Sequence, residues 1–289
     1  MGGGQVTTPG RPVALVTGAS RGIGRSAAIA LARAGCDVVI SARTVREGEG
    51  RADSATGPVL LPGSLDTTAR EITEVGGRAH AVAMDLLDRG SVEDMASAAL
   101  GQWGRVDILV NNAIYQGPGP MELVGALSID DAETTMRADY LHQLLLIQRV
   151  LPQMLARGGG CIVNMSSGTA YLDPPAAAGK GGWGVAYAAS KAALTRIAPI
   201  LHVEHSADGI RAFNVDPGFV VNERMRATSG AGQFTDAGFR GVPPDVPGAA
   251  IAWLATDPEA GRYSGTLVHA QKLCRDLGLV PGWPPPPAL

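Results

Sequence analysis

Thr17-Gly18-Ala19-Ser20-Arg21-Gly22-Ile23-Gly24 joins an apolar run at 13–16 to a stretch, 23–34, in which Ile23, Ala27, Ala28, Leu31 and Ala34 recur at helical spacing. Gly35 stops that helix, and Val38-Val39-Ile40 reads as a second buried strand. Strand, glycine turn, helix and strand in this order make the unit whose helix N-terminus offers unpaired N–H groups to a pyrophosphate. Glycine leaves no side chain between backbone and phosphate, and it tolerates the dihedrals of a tight turn. A turn with packing duties alone is the weaker reading inside such a unit.

The same alternation continues outward. Helices are expected at 64–75, 91–102, within 128–157, at 185–207 and at 246–255, with strands at 79–84, 106–110, 161–165, 210–215 and 266–269. Strands this apolar imply a mainly parallel sheet between two helix layers, an α/β doubly wound architecture. Residues 44–63 are charged, glycine-rich and interrupted by Pro58 and Pro62, so they read as an excursion outside the core. Residues 222–245 read as a mixed loop with short helical pieces. One domain is expected over 11–280, between a flexible segment at 1–10 and a proline-rich tail at 281–289.

Composition narrows the function. Lys plus Arg total 24 and Asp plus Glu 27, a net charge of −3 without a basic block, which disfavours nucleic acid. Cys36, Cys161 and Cys274 are odd in number and far apart, which fits three small buried hydrophobes and makes a disulfide scaffold or a structural metal a poor fit. The N-terminal residues do not read as a signal peptide, and no run of 18 apolar residues suggests a membrane span. A cytoplasmic protein with no membrane partner is the expectation.

If the turn from Gly18 to Gly24, with Ser20, Arg21, Gly22 and Ile23 between them, holds a dinucleotide, the end of the second strand should lie beside the adenosine ribose. An acid there would suit the ribose hydroxyls of NAD(H). The chain instead has Ala42 followed by Arg43, with Arg21 in the neighbouring turn, and arginine matches a 2′-phosphate. NADP(H) is therefore preferred and NAD(H) is the alternative; two ordinary surface arginines would carry no such meaning. Asp85 can accept from the adenine amino group beside Leu86, or it can simply cap a turn near Asp88. Asn111-Asn112-Ala113 ends the fourth strand and borders the same cleft.

Tyr187-Ala188-Ala189-Ser190-Lys191 sets a phenol and an ammonium four residues apart, on one helix face. An ammonium favours phenolate, so the tyrosine can exchange a proton with an alcohol or a forming alkoxide. Ser166 and Ser167 follow the strand at 161–165, and either hydroxyl could hold the substrate oxygen. A lone Tyr/Lys pair at this spacing is more often surface decoration, so its weight comes from the company it keeps.

Thr17 to Gly24, Asp85, Asn111 to Ala113, Asn164-Met-Ser-Ser167, Tyr187 to Lys191 and Asn214-Val-Asp-Pro-Gly218 stand in the order of the short-chain dehydrogenase/reductase family, which the chain resembles from about 11 to 268. The resemblance implies a Rossmann-type seven-stranded parallel sheet, often in a homotetramer, with a homodimer also possible. It implies Ser167 as the catalytic serine, Tyr187 as general acid/base, and Lys191 as the group that lowers the tyrosine pKa and holds the ribose. Pro217 and Gly218 would border the nicotinamide, Val220 would meet its carboxamide, and Asn222 stands where the family often has threonine. The substrate would be a small carbonyl or secondary alcohol, and hydride chemistry would belong to the cofactor.

Three departures qualify that likeness. Asp139, in Arg137-Ala-Asp-Tyr140, occupies the position of the family's catalytic asparagine, Asn222 replaces threonine, and His269-Ala-Gln-Lys272 lacks a glycine pair. A catalytically weak regulatory or scaffold subunit is the rival reading they motivate. Tyr187 follows Ser167 by 20 positions, longer than is typical, so the loop at 168–184 either walls a larger pocket or bulges into solvent. Met121, Leu123, Tyr171, Trp183, Met225, Phe234 and Phe239 suggest an apolar or alicyclic substrate.

Overall fold

The computed structural model describes residues 10–54, 57–228 and 241–284. Nearly all of the 1–10 segment, most of the proline tail, and Phe234 and Phe239 of the expected substrate wall lie outside them.

A seven-stranded sheet runs β5-β2-β1-β6-β7-β8-β9, and every pairing in it is parallel. Its strands are β1 (Val13–Thr17), β2 (Asp37–Ala42), β5 (Ala79–Ala83), β6 (Ile108–Asn111), β7 (Gly160–Met165), β8 (Ile210–Asp216) and β9 (Leu267–His269). Side chains alternate along β1: Ala14 and Val16 join one core, Val13 and Leu15 the other. Helices α1 (Gly22–Arg33), α2 (Leu65–Glu74) and, towards the C-terminus, Asp245–Thr256 and Ala270–Leu277 cover the first face. The second is covered by α3 (Arg89–Trp103), α5 (His142–Ala156) and the helices that follow β7. This is the covered parallel sheet that the alternation implied, in the single-domain Rossmann-type form that the family resemblance implied. Strand order reverses between β1 and β6, the switch point at whose carboxyl edge doubly wound sheets bind their ligands.

Several elements differ from the sequence reading. Residues 44–63 are not featureless: β3 (Arg51–Ser54) and β4 (Gly57–Leu60) form an antiparallel hairpin outside the main sheet. The helix expected over 185–207 is two helices, α6 (Val185–Thr195) and α7 (Ile197–His205). Pro199 has no N–H for the Thr195 carbonyl, and Asn214 Nδ2 of β8 donates to that carbonyl at 2.6 Å instead. Between α4 (Ile129–Met136) and α5 the chain makes one π-turn, Arg137–Leu141, with Asp139 at its middle. After α8 (Glu223–Thr228), the Asp245–Thr256 helix is α9, and α10 (Ala270–Leu277) stands where no helix was expected. All three cysteines are free and buried. Burial pushes their thiols up, Cys36 and Cys274 to about 11 and Cys161 to about 12.

Candidate active site

The glycine turn is built for close approach. Gly18 has φ +68°, and a Cβ there would lie 2.8 Å from Asn112 Nδ2; a Cβ on Gly24 would lie 2.3 Å from the Gly18 carbonyl oxygen. Asn112 Nδ2 donates to Thr17 O at 2.8 Å and to Gly18 O at 3.3 Å, and the Asn112 and Ala113 N–H groups both donate to Thr17 Oγ1 at 3.0 Å. The Asn112 amide is therefore committed to holding β1 beside β6. Arg21, which precedes α1, makes no side-chain cap bond, and no acid lies in the first turn, so that turn offers its N–H groups to the cleft. Gly22, at φ +57°, would carry a Cβ toward Asn222 and the Glu223 carboxylate, both 3.6 Å away. These residues fit a dinucleotide pyrophosphate.

At the adenosine end the two arginines separate. Arg21 Nε donates to Pro62 O at 2.9 Å, while its Nη2 donates to Gly63 O at 2.8 Å and to Thr44 Oγ1 at 3.3 Å, so it pins the base of the hairpin to the turn. Arg43 is exposed at the end of β2 and makes no ion pair among the described residues. Asp85 does cap its turn: Oδ1 accepts the Leu87 N–H at 3.0 Å. The Leu86 carbonyl is bonded to the buried His142 Nδ1 at 2.6 Å.

At the reaction end the pleat separates Ser166 from Ser167. Ser166, buried, hydrogen-bonds Thr195 Oγ1 at 2.7 Å and so faces away. The Ser167 hydroxyl accepts the Thr169 N–H at 3.3 Å and lies in hydrogen-bonding reach of the Tyr187 phenol. Lys191 is 2% exposed; its Nζ donates to Met165 O at 2.8 Å and sits 5.9 Å from the centre of the Tyr187 ring. Burial, resisted by the Ser167 hydrogen bond and reinforced by Asp139 and Asp216, pushes the Tyr187 phenol up to about 12. Burial also lowers Lys191, and the Asp139 carboxylate opposes that.

Asp139 is fully buried. Its Oδ1 accepts the Tyr115 N–H at 2.6 Å and its Oδ2 has no hydrogen-bond partner among the described residues. Loss of solvent raises this carboxyl to about 6, against the pull of Lys191. The side chain thus ties the π-turn to the segment leaving β6, a role the sequence could not show.

Other residues at the rim escaped the sequence reading. Asp216 is 7% exposed and accepts the Tyr171 hydroxyl on Oδ2 and the Gly218 N–H on Oδ1 at 2.9 Å. His269 Nδ1 lies 3.5 Å from that Oδ2, and its ring meets Tyr171 edge-on. One end of the 168–184 loop is anchored in this way. The other packs at Gly184, where a Cβ would lie 2.5 Å from Pro120 O, so both ends of the loop belong to the site rim. Gln271 Nε2 donates to Pro217 O at 3.3 Å. Val220 bridges Val242, and Asn222 Oδ1 accepts the Met225 N–H at 3.0 Å, which starts α8 beside the glycine turn. Arg224 Nη2 then donates across to Gln116 O at 2.7 Å.

Comparison with known proteins agrees with this geometry. The family model described as short chain dehydrogenase matches residues 12–57 and 61–233. A 3-oxoacyl-[acyl-carrier-protein] reductase of Synechocystis sp. is 30% identical over 88% of this chain and 92% of its own length. A D-threitol dehydrogenase of Mycolicibacterium smegmatis is 31% identical over 89% of this chain and 90% of its own. Among solved structures, a 3-oxoacyl (acyl-carrier-protein) reductase from Agrobacterium tumefaciens with NADP bound superimposes with a TM-score of 0.72 at 26% identity, covering 89% of this chain and 92% of that one. A glycine turn at the switch point and a Tyr/Lys helix face beside a serine-bearing strand end have a common explanation: this chain belongs to the short chain dehydrogenase family and is an NAD(P)-dependent oxidoreductase.

Proposed function

We propose that the protein is an NADP(H)-dependent oxidoreductase acting on the carbonyl or secondary alcohol of a small, apolar or alicyclic substrate, with Tyr187 as general acid/base. The observation that carries the reading is Tyr187 lying within reach of Ser167 and above the buried Lys191, at the carboxyl edge of the sheet. When bound, the nicotinamide supplies or takes the hydride. Ser167 holds the substrate oxygen, Tyr187 gives that oxygen its proton in reduction and removes one in oxidation, and Lys191 keeps a positive charge beneath the pair. Exposed Met121, Leu123, Val124 and Leu172 supply the apolar character of the rim. Residues 11–280 form the catalytic domain, and exposed Ile200 and Val203 on α7 support assembly into a homodimer or homotetramer.

NADP(H) is favoured because Arg43, without an ion-pair partner among the described residues, directly follows β2 where NAD(H) would want an acid, and the Agrobacterium neighbour holds NADP. Arg21 is already bonded to the hairpin base, so Arg43 is the arginine free to meet a 2′-phosphate. Arg43→Ala is expected to weaken NADPH binding by about 10- to 100-fold, the worth of one charge-assisted hydrogen bond, and to leave NADH binding unchanged. Fluorescence titration of both nucleotides against wild type and variant checks this. Tighter binding of NADH by the wild type would favour the NAD(H) reading.

A further inference from the structure

Where the family pattern has a glycine pair after the last strand, this chain has His269-Ala-Gln-Lys272, and both His269 and Gln271 reach back to the loop that follows β8. We propose that Asp216, Tyr171, His269 and Gln271 form a polar brace in which Asp216 and Tyr171 are positioning residues: they fix the Ser167 end of β7 against the Pro217-Gly218 loop and so set the substrate oxygen relative to the nicotinamide. This rests on the reading of Ser167 as the neighbour of the substrate and of Pro217-Gly218 as the border of the nicotinamide.

Each link of the brace is a direct contact. Asp216, buried at the end of β8, accepts the Tyr171 hydroxyl on Oδ2 and the Gly218 N–H on Oδ1. His269 is its register partner on β9, with Nδ1 3.5 Å from the same Oδ2 and its ring edge-on to Tyr171, 6.1 Å between centres. Gln271, on α10, donates from Nε2 to Pro217 O at 3.3 Å and packs so closely on Gly218 that a Cβ there has no room. The Pro217-Gly218 loop is thus held by Asp216 from its own strand and by Gln271 from the element beyond β9.

Tyr171 carries the hold to the serine. Ser167 opens a short 3₁₀ turn, Gly168–Ala170, that packs against α6, the helix of Tyr187 and Lys191. The Ala170 N–H closes the turn onto Ser167 O at 3.0 Å, and the Tyr171 and Leu172 N–H groups donate to Gly168 O at 3.2 and 2.9 Å. A Cβ on Gly168 would stand 3.7 Å from Asp216 Oδ2 and 4.0 Å from the Tyr171 hydroxyl, so the pair lies against the residue that follows Ser167. A buried carboxylate is costly unless its hydrogen bonds are made. The donors to Asp216 come from two different loops, so the carboxylate is satisfied only when both loops are in place, and it selects that one arrangement.

The test uses the full chain: NADPH-dependent reduction of a cyclic ketone panel, NADPH titration, and amide hydrogen exchange over residues 166–172. Asp216→Ala is expected to lower kcat by about 10- to 100-fold, the worth of a reacting geometry misplaced by about 1 Å, with little change in NADPH affinity, and to speed exchange of the Tyr171 and Leu172 amides. Asp216→Asn offers a carbonyl oxygen to the Gly218 N–H and an amide N–H to the Tyr171 hydroxyl, so it is expected to recover most of the lost kcat. Tyr171→Phe removes the same bond from its other side; the double variant Tyr171→Phe/Asp216→Ala is therefore expected to be no slower than Asp216→Ala alone. If Asp216→Ala does not fold, Tyr171→Phe, at a half-exposed side chain, must show the lower kcat and the faster exchange by itself. Unchanged kcat and exchange in the folded variants, additive losses in the double variant, or an Asp216→Asn as slow as Asp216→Ala overturns the proposal. A wild-type chain without turnover on any ketone, yet with exchange loosened in the variants, would uphold the brace and sink the reductase reading instead.

Discussion

Tyr187→Phe is expected to lower kcat for NADPH-dependent carbonyl reduction by about 10²- to 10⁴-fold, the usual worth of a positioned proton donor, with little change in NADPH affinity. The substitution removes a single oxygen. Ser167 keeps the Thr169 N–H as a donor, and Lys191 keeps its bond to Met165 O, so neither neighbour is left buried and unpaired. A thermal melt within a few degrees of wild type, nucleotide titration, and steady-state rates on a ketone panel separate loss of chemistry from loss of fold. A variant that retains a third of the wild-type kcat would show that the proton comes from elsewhere.

Gly24→Ala is expected to be costly for a different reason. The new methyl would meet backbone, the Gly18 carbonyl oxygen at 2.3 Å and its carbon at 2.8 Å, together with Asn112 Nδ2 at 2.5 Å. None of these is the free end of a flexible side chain, so α1 must retreat from the turn. The strain is on the order of 3 kcal/mol, and the retreat also removes the helix N-terminus from the pyrophosphate, weakening both nucleotides alike. Gly101→Ala is the control. Gly101 lies inside α3 with nothing within 4 Å of its added Cβ, so alanine there should stabilise by about 0.5–1 kcal/mol through helix propensity alone. Urea unfolding of the two variants should show shifts of opposite sign; a neutral Gly24→Ala would remove the packing argument for this glycine.

The main sheet was readable because its central strands, β1, β2, β6, β7 and β8, are almost wholly buried and announce themselves as short apolar runs between glycine turns. What the chain kept back depended on distant partners. Pro199 was visible, but the helix break it permits is completed by Asn214 donating from β8. Ser166 and Ser167 look alike in a string of letters, and only the strand's register sends one to Thr195 and the other to Tyr187. Arg21 and Arg43 looked equivalent until the hairpin base at Pro62 and Gly63 took the first of them. The π-turn at Asp139 has no local signature. The last helix did have one, in Ala270, Leu273 and Cys274, but it is only two turns long and is broken up by the charged Lys272, Arg275 and Asp276. Asp216 was hidden by its setting, since an acid before proline and glycine is ordinary turn material until Tyr171 and His269 are brought onto it.

The three thiols give the fold a built-in set of silent labels. Cys161 lies in a central strand, Cys36 at the entry to β2, and Cys274 on the final helix, where its Sγ reaches Val246 O at 3.1 Å. None of them is a thiolate near neutral pH, and reaction with an alkylating reagent requires both exposure and thiolate. Each is therefore modified only when its own piece of structure opens, so alkylation rates measure separately the fraying of the last helix and the opening of the sheet beneath the site.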